Sequence, residues 1–420
     1  MVHYTINDVG FVPKGMRYFV LISISLFMFS CKTTKSVSNK MVDKEKVAHK
    51  TIIVNNPESS VFATGADNFS GFSRLLRNKS VGIVTNQTGI LDDKSHIVDF
   101  LLSKNVNLIK IYAPEHGFRG AADAGELIVD GKDTKTGLPI ISLYGDNKKP
   151  KPEQLAGIDV LLFDLQDVGA RFYTYISSLH YVMEACAENN IPLIVLDRPN
   201  PNGAIVDGPI LEPENSSFVG MHPIPVLHGM TIGEYAQMIN GEKWLKNGIQ
   251  CELQVIACSA YRRDMPYSLF VKPSPNLPND QSINLYASIC FFEGTNVSVG
   301  RGTDKQFQIY GSPYLPNVDF CFTPQPNFGA KNPPYNGIEC FGEDLSAIEM
   351  VDRIELKWLL KAYNETADKS KFFNSYFIKL SGTKKLQQQI EAGLTAAEIR
   401  ASWETPLIEF KEMRKKYLIY

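Results

Sequence analysis

Short apolar runs that alternate with stretches of helical spacing constrain this chain more tightly than any other feature. Runs at 81–85, 106–112, 138–144, 158–163 and 191–196 read as strands. Between them, 94–103 carries Ile97, Phe100 and Leu101 at helical spacing, and 171–189 carries Tyr175, Leu179, Val182, Met183 and Cys186. A strand that is apolar on both faces must be covered on both, and intervening helices supply that cover, so a parallel sheet is expected. The fold class that follows is α/β, with a Rossmann-like doubly wound domain over 69–230. No Gly-x-Gly-x-x-Gly follows any run and no turn is a P-loop, so a nucleotide is not the expected ligand.

Each run ends in polar residues. The first leads into Asn86 and Gln87, and the second stops at Pro114 and releases Glu115, His116 and Arg119 between Gly117 and Gly120. The fourth leads into Asp164, Gln166, Asp167 and Arg171, then Phe172-Tyr173-Thr174-Tyr175; the fifth leads into Asp197, Arg198, Asn200 and Asn202. The carboxyl ends of parallel strands share one edge, so these groups are expected to converge on one crevice. Carboxylates, amides, guanidinium groups and aromatic rings suit hydroxyls and sugar faces, which points to a polyol or sugar. An acid, an imidazole and a guanidinium set free at a buried strand end are costly without a task or partners. The plainer alternative pairs Glu115 with Arg119 in solvent and uses Asp164 and Asp197 only as caps.

At 420 residues the chain exceeds one typical core, and residues 231–420 read as a smaller α+β domain closing the cleft. Thr231 and Glu234 fit a capping box, 251–257 alternates like a strand, and an apolar run over 285–292 ends at Glu293, with Arg301 following between two glycines. From Met16 the chain reads MRYFVLISISLFMFSC, a cation and then an apolar run of signal length. Residues 1–31 are therefore expected to be a lipoprotein signal ending at a lipidated Cys31, and 32–68 a flexible tether. The expected location is that of an exported bacterial lipoprotein on a periplasm-facing membrane anchor. A formal net charge of -2 without a basic stripe excludes nucleic acid as a partner. No Cys-x-x-Cys or His-Glu-x-x-His spacing occurs, so neither a metal nor another cofactor is expected.

VGIVTNQTGI, APEHGFRG, DLQDVGARFYTYISSL, DRPNPNG and EGTNVSVGRGTD, in that order, resemble the DUF1343 family. Its members include exo-β-N-acetylmuramidases, which release N-acetylmuramic acid from non-reducing ends of peptidoglycan fragments. The resemblance implies a Rossmann-like domain, a smaller domain, an active site between them, and muramic saccharides as partners. It maps the catalytic acid onto Glu115, beside His116. A second carboxyl group is usually needed, and Asp164, Asp167 and Glu293 are the candidates. The lactyl carboxylate of muramic acid calls for a cation, from among Arg119, Arg171, Arg198 and Arg301, with Arg119 the first choice. Asn86, Tyr173, Tyr175 and Asn202 complete the expected substrate site. Two other functions compete: a non-catalytic sugar-binding lipoprotein, and a metal-dependent hydrolase using His116, His180, His228 and Asp167.

Overall fold

Eight strands form the central sheet: β1 (Ile52–Val54), β2 (Val81–Thr85), β3 (Leu108–Ala113), β4 (Gly131–Lys132), β5 (Pro139–Ser142), β6 (Val160–Asp164), β7 (Leu193–Leu196) and β8 (Leu253–Ile256). The computed structural model describes residues 51–54, 60–119 and 130–420. The signal and lipidated Cys31 expected at 1–31, and part of the tether, lie outside the described residues. Across the sheet the order is β1-β8-β7-β6-β2-β3-β5-β4. Neighbours run parallel except β4, which lies antiparallel on β5.

Successive residues along the inner strands serve opposite faces, as the two-residue period requires. Leu161 and Phe163 of β6 join one core while Val160 and Leu162 join the other; Leu193 and Val195 of β7 oppose Ile194 and Leu196 in the same way. The larger core is closed by the helices Tyr175–Asn189, Ile232–Gly241 and Asp280–Ile289, the smaller by Ile97–Ser103. Each such side chain contributes roughly 1.5–3 kcal/mol on burial, and no charged group interrupts β6 or β7 before its end.

The chain runs outward from β2 to β3 and β5, then returns to the other side of β2 as β6. That reversal leaves a crevice outside the carboxyl ends of β2 and β6, where Thr85 faces Asp164.

Two sequence expectations need correction. The boundary at 230/231 falls inside the sheet's framework, because β8 pairs with β7 and the helix Ile232–Gly241 packs against it. The packing is close enough that a Cβ at Gly233 would lie 2.6 Å from Val255 Cγ1. Strand β8 reads as half-exposed because Gln254 interrupts it. The expected tether also holds strand β1, parallel to β8. Three half-exposed edge residues are too few to show a period.

The C-terminal part builds a small antiparallel sheet from β9 (Ile309–Ser312), β10 (Cys321–Phe322) and β11 (Cys340–Asp344), in the order β10-β11-β9. Short helices follow, from Lys357–Glu365 to Glu404–Arg414.

Candidate active site

Strand β3 ends at Ala113, and the turn after it swings Glu115 and His116 into a cleft of about 840 Å³. His116 (φ 70°) and Gly117 (φ 75°) are both left-handed, a pairing costly for a non-glycine residue and common at functional turns. Gly117 N–H closes the turn on the Pro114 carbonyl at 3.0 Å. Thr174 stands at the N-cap of the helix Tyr175–Asn189, but its hydroxyl makes no cap; it donates to Glu115 Oε2 at 2.9 Å. Asn86 Nδ2 donates to the Tyr175 hydroxyl at 2.6 Å, and that hydroxyl points at the Glu115 carbonyl 3.5 Å away. Asn86, itself fixed by Thr88 and His96, thereby holds the acid's loop through Tyr175. Tyr173 lines the cleft and donates to the Pro273 carbonyl at 2.8 Å.

The facing wall comes from the C-terminal part. Glu293 lies at the end of the 3-10 turn Cys290–Gly294, and Arg301 Nε contacts its Oε1 at 2.6 Å. The Arg301 guanidinium lies 5.1 Å over the Phe307 ring. Burial works against its charge, and the adjoining Glu293 carboxylate more than offsets that, so the Arg301 pKa is raised. Tyr286, Phe307, Lys331, Tyr335 and Tyr376 also face this space.

Of the expected site residues, Glu115, His116, Tyr173, Tyr175, Glu293 and Arg301 meet on the cleft wall. The others do not line it. Arg119 pairs with Asp133 and covers the Phe118 ring. Arg198 grips Asp164 with two bonds of 2.6 and 3.0 Å and reaches the Ile90 carbonyl. Arg171 is buried, donating to the carbonyls of Pro209, Ile224, Leu380 and Ser381; burial pushes its pKa down to about 9. Asn202 donates to the Val168 and Ile283 carbonyls. Asp167 is buried away from the cleft. Burial pushes its carboxyl up to about 7 although the Gly169 N–H donates to Oδ2 at 2.7 Å.

The imidazoles do not converge. His180 bonds His222 at 2.9 Å, His228 lies 3.7 Å from Asp167, and His116 stands in the cleft. Among the described residues no group of three or more His, Cys, Asp or Glu side chains is arranged to hold a metal ion.

Sequence reasoning missed Thr174 as a partner of Glu115, although it sits in the quoted FYTY stretch. It missed Tyr376 altogether, since nothing in NSYFIKL distinguishes that tyrosine from a packed one.

Residues 81–281 match the N-terminal domain of the exo-β-N-acetylmuramidase NamZ family, and residues 284–420 match its C-terminal domain. Both parts line the cleft. The chain is 39% identical to the peptidoglycan β-N-acetylmuramidase NamZ of Bacillus subtilis (strain 168), over 85% of this chain and 91% of that one. Two crystal structures of DUF1343 family proteins from Bacteroides fragilis NCTC 9343 are similar. One has a TM-score of 0.80 at 43% identity, covering 86% of this chain and 99% of its own; the other has 0.74 at 30%, covering 86% and 100%. The chain therefore belongs to the exo-β-N-acetylmuramidase NamZ family of DUF1343 proteins and is a glycoside hydrolase.

Proposed function

We propose that this hydrolase releases N-acetylmuramic acid from non-reducing ends of peptidoglycan fragments, with Glu115 as general acid and Glu293 as the second carboxylate. One observation carries the reading: the two glutamates line one sugar-sized cleft, one from the sheet and one from the C-terminal part. Asp164 is committed to Arg198 and Asp167 does not line the cleft, which leaves Glu293 as the partner. Glu115 protonates the glycosidic oxygen, while Glu293 acts on the anomeric side, on water, on the sugar or on its 2-acetamido group. Arg301 takes the lactyl carboxylate: its Nε holds Glu293, and its two Nη groups make no hydrogen bond to a described residue.

The test is turnover of a chromogenic N-acetylmuramide. Glu115→Gln, which keeps shape and loses titration, is expected to lower turnover about a hundredfold or more. Near wild-type turnover sinks the assignment. A wild type that binds the sugar without cleaving it would favour the non-catalytic sugar-binding reading.

The apolar run before Cys31 supports a lipid anchor on the periplasmic face. Mass mapping of the mature N-terminus is expected to begin at a lipidated Cys31, and any other start removes the anchor.

A further inference from the structure

Tyr376 has no role in the scheme above, yet its half-buried ring stands on the cleft wall with Glu115 and Glu293. It opens the helix Tyr376–Ser381, and the segment leading to it is zipped to the backbone that carries Glu293. Asn374 N–H donates to the Gly294 carbonyl at 2.9 Å, Asn296 N–H to the Phe372 carbonyl at 2.8 Å, and Thr295 bridges Phe373. Tyr376 N–H is held in turn by Asn374 Oδ1 at 2.8 Å. The ring's position is thereby tied to that of Glu293. Its backbone N–H is engaged, but its hydroxyl makes no hydrogen bond to any described residue.

Burial, then Cys290, then the charges of Glu293 and Glu115 raise the phenol's pKa, so it stays protonated and acts as a donor. A protonated donor without a partner, facing both carboxylates, wants an acceptor from the substrate. Glu115 serves the glycosidic oxygen and Glu293 the anomeric side, so a donor that shares their cleft wall and feels both of them faces the reacting side of the sugar. On an N-acetylmuramyl ring the amide carbonyl at C2 is the strong neutral acceptor adjoining the anomeric carbon.

We propose that Tyr376 is a third catalytic group, whose hydroxyl donates a hydrogen bond to the carbonyl oxygen of the sugar's 2-acetamido group. This rests on the reading of Glu115 and Glu293 as the catalytic pair.

The test compares Tyr376→Phe with wild type on two aryl glycosides: the N-acetylmuramide, and its 2-deoxy analogue with hydrogen in place of the acetamido group, which leaves no acceptor at C2. Phe keeps the ring and its packing. The kcat/KM of the variant is expected to fall roughly tenfold on the acetamido substrate, the scale of one hydrogen bond, and to stay within about twofold on the analogue, where that bond cannot form. Equal losses on both, or no loss on the acetamido substrate, overturn the proposal. Full turnover by both Glu115→Gln and Glu293→Gln would instead overturn the reading of the catalytic pair, an outcome separable from anything Tyr376→Phe does.

Discussion

Arg301 holds Glu293 through Nε and rests on Phe307, so its replacement removes both a clamp on the carboxylate and, among the described residues, the one guanidinium on the cleft wall. Arg301→Ala is expected to lower kcat/KM on both muramic and glucosamine glycosides. The muramic substrate should lose about one to two decades more, the scale of a lost charged hydrogen bond. Arg119→Ala should cost only a few-fold on either, because Arg119 is committed to the buried Asp133 and does not line the cleft. A selective muramic loss in Arg119→Ala, with none in Arg301→Ala, would return the anion-binding role to Arg119. The residue types at the site were legible because each followed an apolar run. Which arginine faces the substrate was not, since Arg198 meets an aspartate 34 positions away and Arg171 meets carbonyls 209 and 210 positions away.

The segment before the helix Tyr376–Ser381 and the turn Cys290–Gly294 behave as one element, because Gly294 allows the two backbones to touch. A Cβ at Gly294 would lie 2.4 Å from Phe377 Cα, and backbone cannot swing aside as a side-chain end can. Gly294→Ala is expected to cost about 1–3 kcal/mol, the scale of overpacking, seen as a lower denaturant midpoint, and to lower turnover by moving Tyr376 relative to Glu293. An unchanged midpoint and unchanged rate would mean that the contact relaxes freely. Central strands such as β6 and β7 were readable because burial on both faces leaves an unbroken apolar run. Strand β1 sits at an edge, where exposed positions dilute that signal, and β8, between β1 and β7, has its run broken by the partly buried Gln254.

Asp167 and His228 form a buried pair whose protonation bears on the stability of the whole molecule. Burial raises the Asp167 carboxyl from 3.8 to about 7, so the fold binds this proton more tightly than the unfolded chain. The stability it contributes is complete below about pH 3.8 and is lost as pH rises to about 7. Asp167→Asn cannot ionise and escapes that loss. Relative to wild type it should gain about 1.4 kcal/mol per pH unit across that window, read from denaturant unfolding at pH 4 and pH 8. A difference that does not grow with pH would show that the carboxyl ionises freely in the fold. His228, pushed down to about 3 first by burial, acts on the acid side in both proteins and largely cancels in the comparison. At this scale, the sequence by itself determined the parallel sheet and the edge where Glu115 emerges, because strand period, strand burial and strand ends are local properties of the chain. Only the tertiary structure decided which polar groups face one another and which face the cleft. Asp164 with Arg198, Thr174 with Glu115, and Tyr376 beside Glu293 are pairings between segments far apart in the chain, and no local pattern encodes them.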